Sequence, residues 1–493
     1  MKADASSFIT GQIARFAERS PDASALVDVD QHRALSFQQL EQRFVQARRD
    51  LRQLGCLTQR VVVLPAENSI EKIIHWLAVW SLGGVVMNLD SRHVPARLQQ
   101  ALLDRIQPDV LFHDPAHGRR PTALSTPSWS LLDPAQWRPL PPRSSCCLPP
   151  GTVLINTTTG TSGSPKLVYH GFPALLHHGR TSIRFLDLEA LEPCLEARSF
   201  NWFSAQILSL MPFLLLGTQL HIASYFSADK FHGWLEQYPI RFASTVPTIL
   251  NSLLQSAPAH PYPGRCGLTR LSCSSAALSA SVWQRVEQRF GIPVINLYGS
   301  SEAGWICGAD QHNRQIGSVG FAAPGVRLER MACPGGQAPG QLRIHAEHLA
   351  LAVQSLDQSV PQQLDGRLMI ADQVRINEDG RVFLFGRTDD IINRSGIKIH
   401  PAVIEESIVQ HPLVRQAVVF GVDHAETGQA IACAVVGDPR LDLATLQDYV
   451  ARQSGLPASH QPLHWWMVEE VPYVGNGKIS RQALAQRFHA RRS

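Results

Sequence analysis

Apolar and polar positions along this chain follow two periods. The runs RVVVLP at 60–65 and GGVVMNLD at 83–90 are short and almost wholly apolar, which predicts strands. In FQQLEQRFVQARRDLRQLG at 37–55 the apolar residues recur every three or four positions before a glycine, which predicts an amphipathic helix. Strands alternating with helices over the first 130 residues imply parallel βαβ units. The proline-dense stretch 133–150 disfavours helix and central strand and reads as a connector.

From 151 the alternation resumes. TVLIN (152–156), TQLHIA (218–223) and PVINLYG (293–299) read as strands, and FSAQILSLMPFLLLG (203–217) and AALSASVWQRVEQRFG (276–291) as helices. Over 316–386 the texture changes to short segments with glycine turns, which predicts the hairpins of a small antiparallel subdomain. After GRTDD the last hundred residues form a compact α+β pattern. The expected class is therefore α/β: a large N-terminal domain (1–387) of two layered α/β sheets plus a small β-barrel-like subdomain (about 316–386), and a small mobile α+β C-terminal domain (388–493).

A length of 493 residues is too great for one core, in keeping with two or three domains. The 44% hydrophobic and 17% charged content describes a globular chain. A net charge of +4 is too small and scattered to grip nucleic acid or a membrane surface. The N-terminus lacks an apolar signal core and the longest greasy runs fall short of a span, so a soluble cytoplasmic protein is expected, monomeric or homodimeric. Nine cysteines without a C-x-x-C pair fit buried or incidental thiols better than disulfides or a zinc site. The adjacent His177 and His178, without ligand spacing, read as solvated helix residues.

LINTTTGTSGSPKLV at 154–168 is where the chemistry shows. A strand runs into Thr158, Thr159, Gly160, Thr161, Ser162 and Gly163, with Lys166 close behind. Glycines let backbone approach an anion, and hydroxyl and amide donors can then wrap phosphate oxygens. A Walker loop is excluded, because Pro165 stands where that motif needs its second glycine.

TTGTSGSPK (158–166), NLYGSSEAG (296–304), GRTDDIINRSGIKIHPAVIEESI (386–408) and VPYVGNGKISRQAL (471–484) together resemble, in order and spacing, the four motifs of the adenylate-forming superfamily: acyl- and aryl-CoA ligases, peptide-synthetase adenylation domains and luciferases. The resemblance covers roughly residues 20 to 485. It implies ATP-dependent activation of a small carboxylic acid to an acyl-adenylate with loss of pyrophosphate. Transfer follows to the thiol of CoA or of a carrier protein's phosphopantetheine. Residues 158–163 and Lys166 would hold the β- and γ-phosphates, and Glu302 the Mg²⁺ that bridges them.

By the same resemblance Tyr298 would stack on adenine, with Ser275, Asn296, Gly299 and Ser301 around the nucleotide, and Asp372 and Arg387 would hold the ribose. Ile370 and Ala371 replace the threonine and glycine usual before that aspartate, and Leu167 the glycine usual after the lysine. Lys478 would be the catalytic lysine, bridging carboxylate and α-phosphate. Asp389 matches the hinge between two domain poses, and Gly396, with Lys398 near it, the thiol tunnel. Trp202, Phe203 and Ser204 fall at the acid pocket, and Ser274, Ser275 and Ala276 replace a smaller Gly-Gly-Ala turn. Ser204 stands where amino-acid-activating domains carry an aspartate, and a buried ammonium without an anion is costly. A small aryl or short-chain acid is therefore expected. The alternatives are a free-standing adenylation domain for an amino or hydroxy acid, a direct amide-forming ligase, and a nucleotide-binding regulator without turnover.

Overall fold

The computed structural model describes residues 5–56, 58–89, 96–113, 128–130, 148–158, 166–256, 266–331, 339–474 and 478–492. Residues 133–147 of the expected connector lie outside these, as do Thr159, Gly160, Thr161, Ser162 and Gly163. Two large sheets dominate. One has seven strands in the order Val294–Asn296, Arg270–Cys273, Phe242–Thr245, Pro193–Glu196, Gln219–Ile222, Ser24–Asp28, Arg33–Ser36, all parallel except the last. The other has eight, in which Thr152–Thr158, Val85–Met87, Val61–Val63, Val110–His113 and Ser128–Ser130 run parallel. Lys166–Gly171, Ala352–Ser355 and Gln362–Gln363 extend it antiparallel.

A layer of helices lies between the sheets. One continuous core joins Leu26, Leu220 and Phe242 of the first sheet to Val62, Val86 and Leu154 of the second through Phe37–Leu54, Ile70–Ser81 and Phe172–Leu186. Phe37–Leu54 forms because Leu40, Phe44, Ala47, Leu51 and Leu54 share one face and bury it. Ser36 and Gln39 close its start as a capping box, and Gly55 ends it at φ +88°. In Ile70–Ser81 all twelve residues are buried, the consequence of lying between two sheets.

The long helix expected at 203–217 is present with a change of pitch. Phe203–Ala205 and Met211–Leu216 are α-helical, but Gln206–Leu210 is a π turn. Pro212 has no N–H to give the residue four before it, and the wider turn accommodates that lost bond.

The segment 316–386 contributes four antiparallel strands, Val326–Arg330, Gly340–Ala346, Arg367–Ile376 and Val382–Arg387. They share a core with the three-stranded sheet Tyr298–Ser300, Gly304–Gly308, Phe321–Ala322. One part departs from the expected subdomain: Ala352–Ser355 pairs with Lys166–Gly171 and joins the eight-stranded sheet. Beyond 390 a separate sheet built on Val414–His424 and Gly428–Gly437 buries one face against Pro401–Ile408 and Leu443–Arg452 and the other against Arg481–Arg492. Among the described residues no helix is long and apolar enough to cross a membrane.

Candidate active site

Ligands of open parallel sheets bind beyond the carboxyl ends of the strands. Here the carboxyl ends of both sheets meet across a buried polar seam. Asn88, just past Val85–Met87, donates from Nδ2 to Asn156 Oδ1 (3.1 Å). Asn156 and Gln206 exchange two bonds (3.1 and 2.9 Å), and Gln206 Nε2 also donates to the Phe200 carbonyl (2.8 Å). Lys72, fully buried, donates to Asn201 Oδ1 (2.9 Å). The seam fixes the end of Thr152–Thr158, where the expected phosphate loop begins. Thr158 is the antiparallel partner of Lys166, so the loop is closed by a strand pair and Lys166 is held at its far end.

Elsewhere in the N-terminal part Tyr298, Asp372 and Arg387 come together. The Tyr298 hydroxyl donates to Asp372 Oδ2 (2.5 Å), and Arg387 Nη1 donates to Asp372 Oδ1 (3.4 Å), the two residues being cross-strand partners. Burial, then the Asp372 charge, pushes the Tyr298 hydroxyl well above its usual range, so it stays a donor. Ile370 packs in the core and Ala371 offers its carbonyl to Thr388 Oγ1 (2.9 Å), so the two unusual residues have structural roles. Asn296 is buried and donates to the Ser318 carbonyl (3.3 Å).

Gly299, Ser301 and Glu302 lie on or beside the turn between Tyr298–Ser300 and Gly304–Gly308. Glu302 is half-buried; its carbonyl accepts from Ala350 N (2.8 Å), and its carboxylate is in no ion pair among the described residues. Gly304 closes this turn at φ +63°, and a Cβ there would collide with the His178 imidazole. Gly304→Ala is expected to lower stability by about 2–4 kcal/mol, read as a lower urea midpoint with unchanged slope.

The acid-side residues gather around Phe203. Phe203 stacks on His170 at 4.1 Å and meets His178 edge-on at 6.2 Å. Burial holds both imidazoles near pKa 3, so they are neutral. The reading of His177 and His178 as solvated is thereby corrected: His178 is buried, with Nε2 against the His348 carbonyl (2.9 Å), and His177 stacks on His348 at 3.9 Å. Their helix, Phe172–Leu186, faces the core and the small sheet, which a local pattern of two histidines does not reveal.

Behind Ser204 is a group that sequence reasoning missed. Arg198 and Glu196, both with 0% side-chain exposure, form a bidentate pair (2.9 and 2.6 Å), and Ser209 donates to the same carboxylate (2.7 Å). Arg198 Nη1 donates to Ser204 Oγ (3.2 Å) and Ser274 Oγ (3.4 Å), and Ser204 Oγ lies 3.1 Å from Ser275 Oγ. Ser275 holds φ +73°, a left-handed conformation that its glycine counterpart would adopt without strain. Trp202 and Ala276 flank this group, half-buried.

In the C-terminal part, Lys478 opens the short strand Lys478–Ile479, its side chain outside the described portion. Three residues on, Arg481 donates to both Glu405 oxygens (2.7 and 2.9 Å) and to Asp390 Oδ2 (3.2 Å), tying the tail to the 388–390 turn. Sequence reasoning missed this too, although the motif's terminal arginine was in view. Asp389 is exposed and pairs with Arg387 (3.3 Å), while Gly396 turns between Ile392–Arg394 and Ile397–Ile399 at φ +86°, with Lys398 exposed beside it.

Two large α/β sheets, a tyrosine–aspartate–arginine cluster and a separate C-terminal sheet make the architecture that the comparisons with known proteins assign to a class of α/β enzymes. The chain belongs to the AMP-binding enzymes, the adenylate-forming superfamily of AMP-forming ligases. The model of the AMP-binding enzyme matches residues 13–351, and that of the AMP-binding enzyme C-terminal domain residues 403–478. The chain is 24% identical to the 4-chlorobenzoate–CoA ligase of Arthrobacter sp, over 96% of this chain and 94% of that one. It is 25% identical to a stretch of tyrocidine synthase 3 of Brevibacillus parabrevis, over 95% of this chain and 7% of that one. Among solved structures, o-succinylbenzoate CoA synthetase of Bacillus subtilis with its acyl-adenylate intermediate shares the fold, at TM-score 0.81 and 17% identity, covering 96% of this chain and 97% of that one.

Proposed function

We propose that this enzyme activates a small aryl or short-chain carboxylic acid with ATP and passes the acyl group to a thiol of CoA or of a carrier-protein phosphopantetheine arm. The observation that carries the reading is the convergence of Tyr298, Asp372 and Arg387 from distant segments, with Glu302 on the turn that follows Tyr298. Asp372 accepts hydrogen bonds from the ribose hydroxyls, its orientation set by Tyr298 and Arg387. The hydroxyls of 158–162 and the Lys166 ammonium take up charge on the leaving pyrophosphate. Glu302 offers a half-buried carboxylate with no ion pair among the described residues, which suits a hard cation. It would hold Mg²⁺, which supplies charge neutralisation on the phosphates. The domain division at 387/388 belongs to the same proposal, with Asp389 as hinge and Gly396 lining the thiol path.

Transfer to CoA is supported by full-length similarity to a CoA ligase, and the match to a peptide synthetase keeps a carrier protein as the second acceptor. The substrate side is supported by Ser204: its hydroxyl is uncharged and the one carboxylate behind it, Glu196, is taken up by Arg198, so an ammonium would find no free anion there, against an ordinary α-amino acid. Acid-dependent ATP–pyrophosphate exchange across a panel of aryl, short, long and amino acids tests the reading. Exchange is expected with small aryl or short acids and not with amino acids. No exchange with any acid would remove the adenylation reading.

A further inference from the structure

We propose, resting on the adenylation reading above, that the acid carries a second polar group: a neutral hydrogen-bond acceptor, such as a carbonyl, ether or hydroxyl oxygen or a ring nitrogen, recognised by the Ser204–Ser275 hydroxyl pair. The Glu196–Arg198–Ser209–Ser274 cluster is buried throughout and surfaces only at Ser204 and Ser275, both half-buried. They stand at the carboxyl edge of the seven-stranded sheet, Ser275 two residues after Arg270–Cys273 and Ser204 on the helix that follows Pro193–Glu196.

A guanidinium only donates, so the Ser204 oxygen accepts from Arg198. One of the two serine hydroxyls then donates to the other. Two hydroxyls bring two protons and their mutual bond uses one. Whichever way the pair is oriented, one O–H is left to donate outward, and neither serine makes another hydrogen bond among the described residues. The guanidinium behind polarises that donor. Its charge is already matched by the bidentate Glu196 carboxylate, so the site favours a neutral acceptor over a second anion. Phe203 and Trp202, next to Ser204, supply apolar surface for the body of the acid. Ser275 holds its hydroxyl there in a strained backbone conformation, where glycine would be at ease.

The experiment uses the full-length enzyme in pyrophosphate exchange with matched acids: benzoate against the pyridinecarboxylates and hydroxybenzoates, and pentanoate against 4-oxopentanoate. The best acceptor-bearing acid is expected to exceed its plain partner by about tenfold in kcat/KM. Ser204→Ala and Ser275→Gly should each bring that ratio close to one through the KM for acid. Ser275→Gly relieves the backbone strain and so tests the inference even if Ser204→Ala does not fold. Exchange with equal rates for matched acids overturns the inference and leaves adenylation standing. A raised KM for ATP in the serine variants assigns the hydroxyl to the nucleotide and also overturns it. No exchange with any acid is a different result, which takes away the adenylation reading and this inference with it.

Discussion

Lys478→Ala should lower acid-dependent pyrophosphate exchange by about 10²- to 10³-fold, the effect of removing one donor aimed at developing charge, while thioester formation from a supplied acyl-adenylate stays nearly unchanged. Adenylation brings two anions together, a carboxylate and an α-phosphate, and an ammonium between them relieves a repulsion absent from the second half-reaction. Lys478 begins a short strand, and Arg481, which opens the helix just after it, is clamped by Glu405 and Asp390. A rotation about the proposed hinge at Asp389 would therefore carry the lysine with it, which suits a residue needed in one pose only. Single-turnover measurement of each half-reaction is the check. Equal loss in both would show that Lys478 supports the lid as a whole and has no specific part in adenylation.

Patterns that act over a few residues were legible in the sequence. The helix 37–55 needed only its apolar spacing and Gly55, and the strand at 152–156 only its apolar run. The α/β class with two layered sheets follows from such local signals. The π turn at Gln206–Leu210 was hidden because Pro212 inside an apolar run is compatible with either a kink or a widened turn, and packing against both sheets decides. Ala352–Ser355 was read with its sequence neighbours because nothing local marks a strand whose partner, Lys166–Gly171, lies almost two hundred residues away. In the site, the motif residues Tyr298, Asp372 and Arg387 come together in space from distant segments. Glu196 and Arg198 escaped notice because PCLEARSF looks like a strand end reaching solvent, where charges usually lie. Their burial depends on Ser209, Ser274 and the helix 203–216, none of them adjacent in sequence.

That burial makes the Glu196–Arg198 pair the place where one substitution should do most damage to the fold. Arg198→Met leaves the Glu196 carboxylate with Ser209 as its one remaining side-chain donor among the described residues, in a site with no exposure. Breaking a buried pair from one side costs about 3–5 kcal/mol, which should appear as a markedly lower unfolding midpoint. Removing both charges together with Glu196→Leu should recover a large part of that loss, because the paired ions had given up their hydration and two apolar side chains owe nothing for it. Recovery will be incomplete, since Ser209, Ser204 and Ser274 all lose a charged partner. The double variant then separates two roles of the cluster. If the pair serves only the fold, the recovered protein keeps its choice among acids; if Arg198 also polarises the Ser204–Ser275 donor, the protein folds but its preference for acceptor-bearing acids is gone. A double-mutant cycle in urea, followed by exchange assays on the folded double variant, measures both. Additive single losses would show that the two charges are not coupled, contrary to their geometry.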